Sequence, residues 1–233
     1  MQKATILRPR RIVPSSLSPR AETLMDELEE IFLTEGFRHL SIASLATRLR
    51  TSRRTFYEIA PSRDELVLVV LDRIMHRMGR EARDRLVGID DPLDRVEEYF
   101  AAAATGLRRM SLRFSEDVEH QPSAQRLLAD HYRYAAALMQ EIIEEAIDTG
   151  RARQCDAHFV AEAIDAIIVR LHEPDFRQRS PLSVEESLYE AQRFVRAALE
   201  LPGRARRRPN SDVVRIPDHS GATPRQRANV AVK

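Results

Sequence analysis

Helix punctuation at Gly36, Ser41, Ser52 and Ser62 limits what this chain can fold into more than any other feature. Gly36 ends a helix, because glycine most easily takes the left-handed conformation that closes helix C-termini. Ser41 caps a short segment whose apolar face is Ile42, Leu45, Ala46 and Leu49. Thr51-Ser52 forms the next turn, Ser52 caps a third helix through about Ile59, and Pro61 stops it. Ser62-Arg63-Asp64-Glu65 then fits a capping box and opens a long fourth helix. Segments this short are not stable alone and need a longer partner. Ser18-Pro19 starts that partner, with a hydroxyl N-cap followed by proline at the first helical position. Leu24, Leu28, Ile31 and Phe32 share one face of it. Two short helices, a tight turn and a stabilising helix make a helix-turn-helix.

Beyond Leu86 the helical period continues. Leu93, Val96, Phe100, Ala103 and Leu107 line one face, and a shorter segment spans about 111–119. Residues 123–148 place Leu127, His131, Ala135, Leu138, Ile142 and Ala146 inward. Two helices follow, about 155–171 with Phe159, Val160, Ile164, Ile167 and Leu171, and about 183–201 with Leu188, Phe194, Val195 and Leu199. Only seven glycines and no tryptophan favour helices over sheets. The expected fold is all-α with about nine helices. It divides into a flexible basic arm (1–17), a helix-turn-helix domain (18–78, helix-turn-helix about 41–60), a helical body (79–202) and a disordered basic tail (203–233). No segment is apolar over the roughly 18 residues a membrane span needs, and no signal-type core is seen, so a cytoplasmic protein is expected.

The net charge of +1 conceals an asymmetry. Residues 1–20 carry +5, residues 64–202 carry −9 and residues 203–233 carry +6. Around the turn crowd Arg48, Arg50, Arg53 and Arg54, which repel one another unless a polyanion lies opposite. In a helix-turn-helix the N-terminal residues of the second helix face the bases of the major groove. Here those are Ser52, Arg53, Arg54, Thr55 and Tyr57. Arginine can donate two bonds to a guanine edge or one charge to phosphate, and a tyrosine hydroxyl suits a phosphate oxygen. Ser41 and Thr51, at the other helix start and in the turn, join the DNA-facing set. Phe56 and Ile59 face back toward Leu28, Phe32 and Leu45. Double-stranded DNA is the expected partner.

The motifs from Leu33 to Phe37, Ser41 to Ala46, Ser52 to Tyr57 and Pro61 to Leu66 resemble the DNA-binding domain of TetR-family regulators over residues 21–75, about a quarter of the chain. The resemblance implies an all-helical homodimer with a DNA-binding domain (18–78) and an effector-binding and dimerisation domain (79–202), whose small-molecule effector releases it from a palindromic operator. It implies that Thr55 and Tyr57 lie near DNA, and that Arg63, replacing a frequent lysine, meets phosphate. Arg50 departs from a frequent glycine, Arg54 from a small residue and Ile59-Ala60 from a His-Phe pair. The last two helices, about 155–171 and 183–201, are the expected dimer helices, pairing as a four-helix bundle.

Other signals are weaker. Phe100, Met110, Phe114, His131, Tyr132 and Met139 are candidates to line an effector cavity, mixing apolar walls with polar groups. His131 also reads as a hydrogen-bonded core histidine. Glu116, Asp117, Glu119 and His120 cluster without metal-ligand spacing, so no metal and no cofactor is expected beyond an unidentified effector. Cys155, the single cysteine, excludes an intrachain disulfide and reads as a bystander thiol. No nucleophilic triad, phosphate loop or carboxylate pair argues for an enzyme. The alternative to a ligand-responsive repressor is a helical carrier or interaction protein that binds DNA only non-specifically.

Overall fold

In the computed structural model, which describes residues 9, 11–14 and 16–201, ten α-helices account for the architecture. They are α1 (Pro19–Glu35), α2 (Ile42–Arg48), α3 (Arg53–Ile59), α4 (Arg63–Leu86) and α5 (Pro92–Arg108). Then come α6 (Leu112–Glu119), α7 (Pro122–Asp148), α8 (Ala157–His172), α9 (Pro174–Arg179) and α10 (Val184–Leu199). Among the described residues the count exceeds the expected nine by α9, whose six residues are too few to show a period. Proline at its first position and Asp175 in its first turn are the local signals for it. The expected tail and residues 1–8 lie outside the described residues.

Short polar caps hold the first three helices. Ser18 Oγ accepts the Ala21 amide at 3.2 Å, Ser41 Oγ the Ser44 amide at 3.0 Å, and Ser52 Oγ the Thr55 amide at 3.3 Å. Each such cap contributes about 1 kcal/mol. Ser62 caps α4 through the Glu65 amide at 3.2 Å. Cross-links then join the helices: Arg20 donates to the Leu49 carbonyl at 2.8 Å, and Glu58 accepts the Ser18 amide at 2.7 Å. Phe56 and Ile59 are buried with Leu28, Phe32 and Leu45, as the apolar spacing predicts. A fully buried phenylalanine contributes about 2–3 kcal/mol.

Two seams fasten this head to the body. Along α4, Arg73 reaches Asp26 at 2.7 Å and Glu29 at 3.2 Å, fixing α1 on α4. Burial pushes the Glu29 carboxyl up, and Arg77 and Arg73 oppose that shift. The expected boundary at residue 78 falls inside α4, which runs unbroken through it. At the second seam Asp117 of α6 accepts the amides of Phe37 (2.5 Å) and Arg38 (2.9 Å), just past the end of α1. The Ser111 amide donates to Leu33 O at 2.8 Å. Phe37 packs between Phe32 and Phe114, with ring centroids 5.4 and 6.0 Å away.

In the body, α5 and α7 pack against each other and against α4, α8 packs on α7, and α10 packs on α5 and α8. The buried stripe of α7 is Ala124, Leu128, His131, Ala136, Met139, Ile142, Ile143 and Ala146. Leu127, Ala135 and Leu138, expected inward, are partly buried at its flanks, with Leu127 and Leu138 packed on the core: over 27 residues a helix buries more than one narrow line of positions. The described part of the arm is not free. Ile12 donates its amide to Asp72 Oδ2 at 3.0 Å, and Val13 and Leu17 pack on the core.

Gly36 is where the second seam depends on a hydrogen atom in place of a side chain. Its φ is 76°, and a Cβ there would overlap the Asp117 carboxylate and stand 2.9 Å from Arg113 Cγ. Gly150 also has a positive φ, 64°, but open space around it. Gly150→Ala should therefore cost about 1 kcal/mol from backbone strain alone. Gly36→Ala should cost about 2–4 kcal/mol, strain and overlap together. Urea unfolding of the two variants checks this; equal losses would mean that α6 is not seated against the head.

Candidate nucleic-acid interface

The turn between α2 and α3 is a Schellman closure with arginine in the glycine position. Thr51 donates its amide to Ala46 O at 3.0 Å and Arg50 to Thr47 O at 3.3 Å, while Arg50 takes φ 48°. A non-glycine residue held there costs about 1–2 kcal/mol. The departure from glycine thus leaves the turn geometry intact and puts a cation on its outer surface, where Arg50 is exposed.

The eight residues expected to face DNA separate into three groups. Arg53, Arg54 and Tyr57 are exposed on the outer face of α3, Tyr57 by 55%. Among the described residues no carboxylate oxygen lies within 4 Å of the Arg50, Arg53 or Arg54 guanidinium, although Glu58 is near Arg54. Arg48, by contrast, is held bidentately by Glu35, which its hydrogen bonds push below the usual carboxylate range. Ser41, Ser52, Thr51 and Thr55 are engaged locally. Ser41 and Ser52 are caps, and the Thr55 hydroxyl lies 3.1 Å from Ser52 Oγ and 3.3 Å from Thr51 Oγ1. Arg63 is placed differently from the expectation of a phosphate contact. Its guanidinium donates to the carbonyls of Leu40 (3.1 Å), Phe37 (2.7 Å) and Arg38 (3.0 Å) and pairs with Asp64 at 2.8 Å. It closes the α1–α2 loop onto α4, because that loop leaves three carbonyls without helical partners.

The six cavity candidates go to separate places. Phe100, Met110, Phe114 and Met139 are buried in the core, and Phe114 belongs to the head–body seam. His131 faces Asp72, and Tyr132 faces His172 with ring centroids 6.2 Å apart. A cleft of about 310 Å³ opens beside Leu107, Leu171, Phe176, Leu182 and Ser187, and none of the six borders it.

A polar cluster around Tyr132 escaped the sequence reading. Burial raises the Tyr99 and Tyr132 phenols, and the Asp165 charge adds to that. Burial, with Glu162 nearby, pushes the Asp165 carboxyl up to about 6. Burial pushes His172 down to about 4; its Nδ1 bonds Ile168 O at 2.9 Å and its Nε2 is buried without a partner. Perturbed groups gathered in one place make a candidate binding site. Tyr99 and Asp165 look like ordinary interfacial positions in sequence, and only the packing of α5, α7 and α8 exposes their relation. Cys155 gains no activation, since burial pushes its thiol up.

No family model and no curated protein matches the sequence. Solved structures do. The chain is similar to a proposed transcriptional regulator from Saccharomonospora viridis in complex with choline, with a TM-score of 0.66 at 18% identity over 78% of this chain and 98% of that one. It is similar to a TetR/AcrR-family transcriptional regulator from Thermobifida fusca, with a TM-score of 0.62 at 16% identity over 81% of this chain and all of that one. SmeT, the repressor of the Stenotrophomonas maltophilia multidrug efflux pump SmeDEF, gives 0.61 at 16% identity, covering 78% of this chain and 91% of SmeT. The chain has the TetR fold. At these identities the likeness is one of architecture, matching the fold that the motifs from Leu33 to Leu66 imply.

In this TetR fold the cluster in the body should leave a signature in stability against pH. Asp165 holds its proton in the folded chain up to about 6, so between its ordinary value and 6 stability falls as pH rises. His172 stays neutral in the folded chain down to about 4, so between 4 and its ordinary value stability rises with pH. The two oppose each other and flatten the profile. Asp165→Asn should leave stability rising by about 1 kcal/mol from pH 4 to 6.5, and His172→Gln should leave it falling. Denaturant titrations at several pH values check both signs.

Proposed function

We propose that the chain is a ligand-responsive transcriptional repressor that binds a palindromic DNA operator as a homodimer. The observation carrying this reading is the outer face of α3, where Arg53, Arg54 and Tyr57 stand exposed beside Arg50 on a rigidly capped unit. An arginine cluster without carboxylate partners is an anion-binding surface. Its seat at the start of the second short helix is the position that enters the major groove.

Support for a dimer comes from α8 and α10. Phe159 of α8 is 71% exposed and Phe194 of α10 69%. Large rings left in water on adjacent helices mark an interaction face. A second copy packed there about a two-fold axis would form a four-helix bundle and place two heads on one side. The effector reading rests on Tyr99, Tyr132, Asp165 and His172, which lie on α5, α7 and α8, and of these helices α5 and α7 also touch α4. A molecule entering there shifts α4 and so the heads, which must sit about 34 Å apart on DNA. The choline complex of the Saccharomonospora viridis protein and the triclosan complex of SmeT belong to those proteins; here they support only the class of mechanism, binding of a small molecule.

Selection from a random duplex pool, followed by titration of the enriched sequence at physiological salt, tests the reading. The full chain should enrich an inverted repeat. Arg53→Ala and Tyr57→Ala should each weaken binding by about 1–3 kcal/mol. Arg63→Ala should instead lower stability, because its donors serve carbonyls. Enrichment of no sequence, with one salt slope on every duplex, would support the non-specific interaction protein instead.

A further inference from the structure

Asp72 and His76 lie one turn apart on the inner side of α4, and His131 meets them from α7. Asp72 is 1% exposed and His131 8%. His76 Nδ1 and His131 Nε2 both approach the same oxygen, Asp72 Oδ1, at 3.2 and 3.4 Å. The two rings are nearly perpendicular, with centroids 4.7 Å apart. Donor atoms from the three residues lie within 4.8 Å of one another.

Hydrogen bonds between imidazolium and carboxylate run at about 2.7–2.9 Å, so both separations are long for a shared proton. Two donors on a tetrahedron around zinc, with bonds of about 2.0–2.2 Å, stand about 3.3 Å or slightly more apart. The outer contacts fit as well. Asp72 Oδ2 accepts the Ile12 amide at 3.0 Å, which orients the carboxylate and leaves Oδ1 for a metal. His76 Nε2 lies 3.3 Å from the Pro9 carbonyl. With Nδ1 on a metal, the remaining N–H donates to that carbonyl, the arrangement that fixes a metal-bound histidine. The competitor is a proton: Nδ1 also lies 2.9 Å from the Asp72 carbonyl, and metal binding releases the proton donated there.

We propose that Asp72, His76 and His131 bind a divalent transition-metal ion of the zinc type, and that its occupancy fastens Pro9 and Ile12 onto α4. Two imidazoles and a carboxylate select zinc and its neighbours over magnesium or calcium, which take oxygen donors. Three protein ligands leave a fourth position for water. Because the arm supplies both outer contacts, metal and arm stabilise each other reciprocally. The site couples the basic N-terminal arm to the helix that carries the head.

The test is zinc titration of the chelator-washed full chain by calorimetry, without DNA. The wild type should bind one ion per chain, and His76→Gln and His131→Gln should each weaken binding by about 100-fold or more. His120→Gln, at an exposed histidine, should bind as the wild type does. Cobalt(II) added to the wild type should give the strong visible bands of tetrahedral nitrogen ligation, a reading that needs no variant. Zinc should also slow tryptic cleavage after the exposed Arg11 in the wild type but not in His131→Gln. No stoichiometric binding, an octahedral all-oxygen cobalt spectrum, or wild-type affinity in both histidine variants would overturn the site. Unchanged cleavage would overturn the arm's part in it.

Discussion

The position of the head depends on one carboxylate. Asp117, buried between α6 and the end of α1, accepts two consecutive amides that Gly36 leaves unpaired when it breaks the helix. Hydrogen bonds to a charged group contribute about 1.5–3 kcal/mol each, and an amide pair orphaned there would cost a similar amount. The constraint propagates. Gly36 has to lack a Cβ, Phe37 has to turn inward onto Phe114, and the Arg38 carbonyl has to find Arg63. The α1–α2 loop is thereby clamped from α6 on one side and α4 on the other. A displacement of either helix reaches the turn without passing through flexible chain.

Stability is given up where the proposed DNA contact lies. Arg50 sits in a left-handed conformation that glycine would take more cheaply, and the guanidiniums of Arg50, Arg53 and Arg54 face water beside one another. Arg48, a few residues away, is neutralised by Glu35. Strain and charge without carboxylate partners on one face is the pattern of a surface shaped for a ligand rather than for the isolated fold. The body shows the same contrast. Its ion pairs stand largely at the surface, whereas burial pushes the Asp165 carboxyl up to about 6 and His172 down to about 4.

Much of the head was legible in the sequence, because its boundaries are written in local chemistry. Ser18-Pro19, Ser41, Ser52 and Ser62 each satisfy amides within three residues, so their roles need no tertiary information. The exposure of Arg53 and Tyr57 follows from the burial of Phe56 and Ile59 on the opposite side of a short helix. What could not be read depends on partners distant in sequence. The carbonyl partners of Arg63 were not legible because those carbonyls, from Phe37 to Leu40, belong to a loop more than 20 residues earlier. His131 read as a core histidine, and the spacing of Asp72 and His76 went unremarked, since α4 and α7 meet only in the folded bundle. The cavity candidates failed to converge for the same reason: hydrophobic period says which side of a helix is buried, not which neighbour it meets.

The central claim is that two such heads read DNA together, and hydroxyl-radical footprinting of the full chain on an enriched duplex tests it most directly. The account predicts two protected patches related by a two-fold axis, centred about one helical turn apart on the same face of the duplex. Uniform weak protection along the DNA, with no dyad and no spacing, would contradict it.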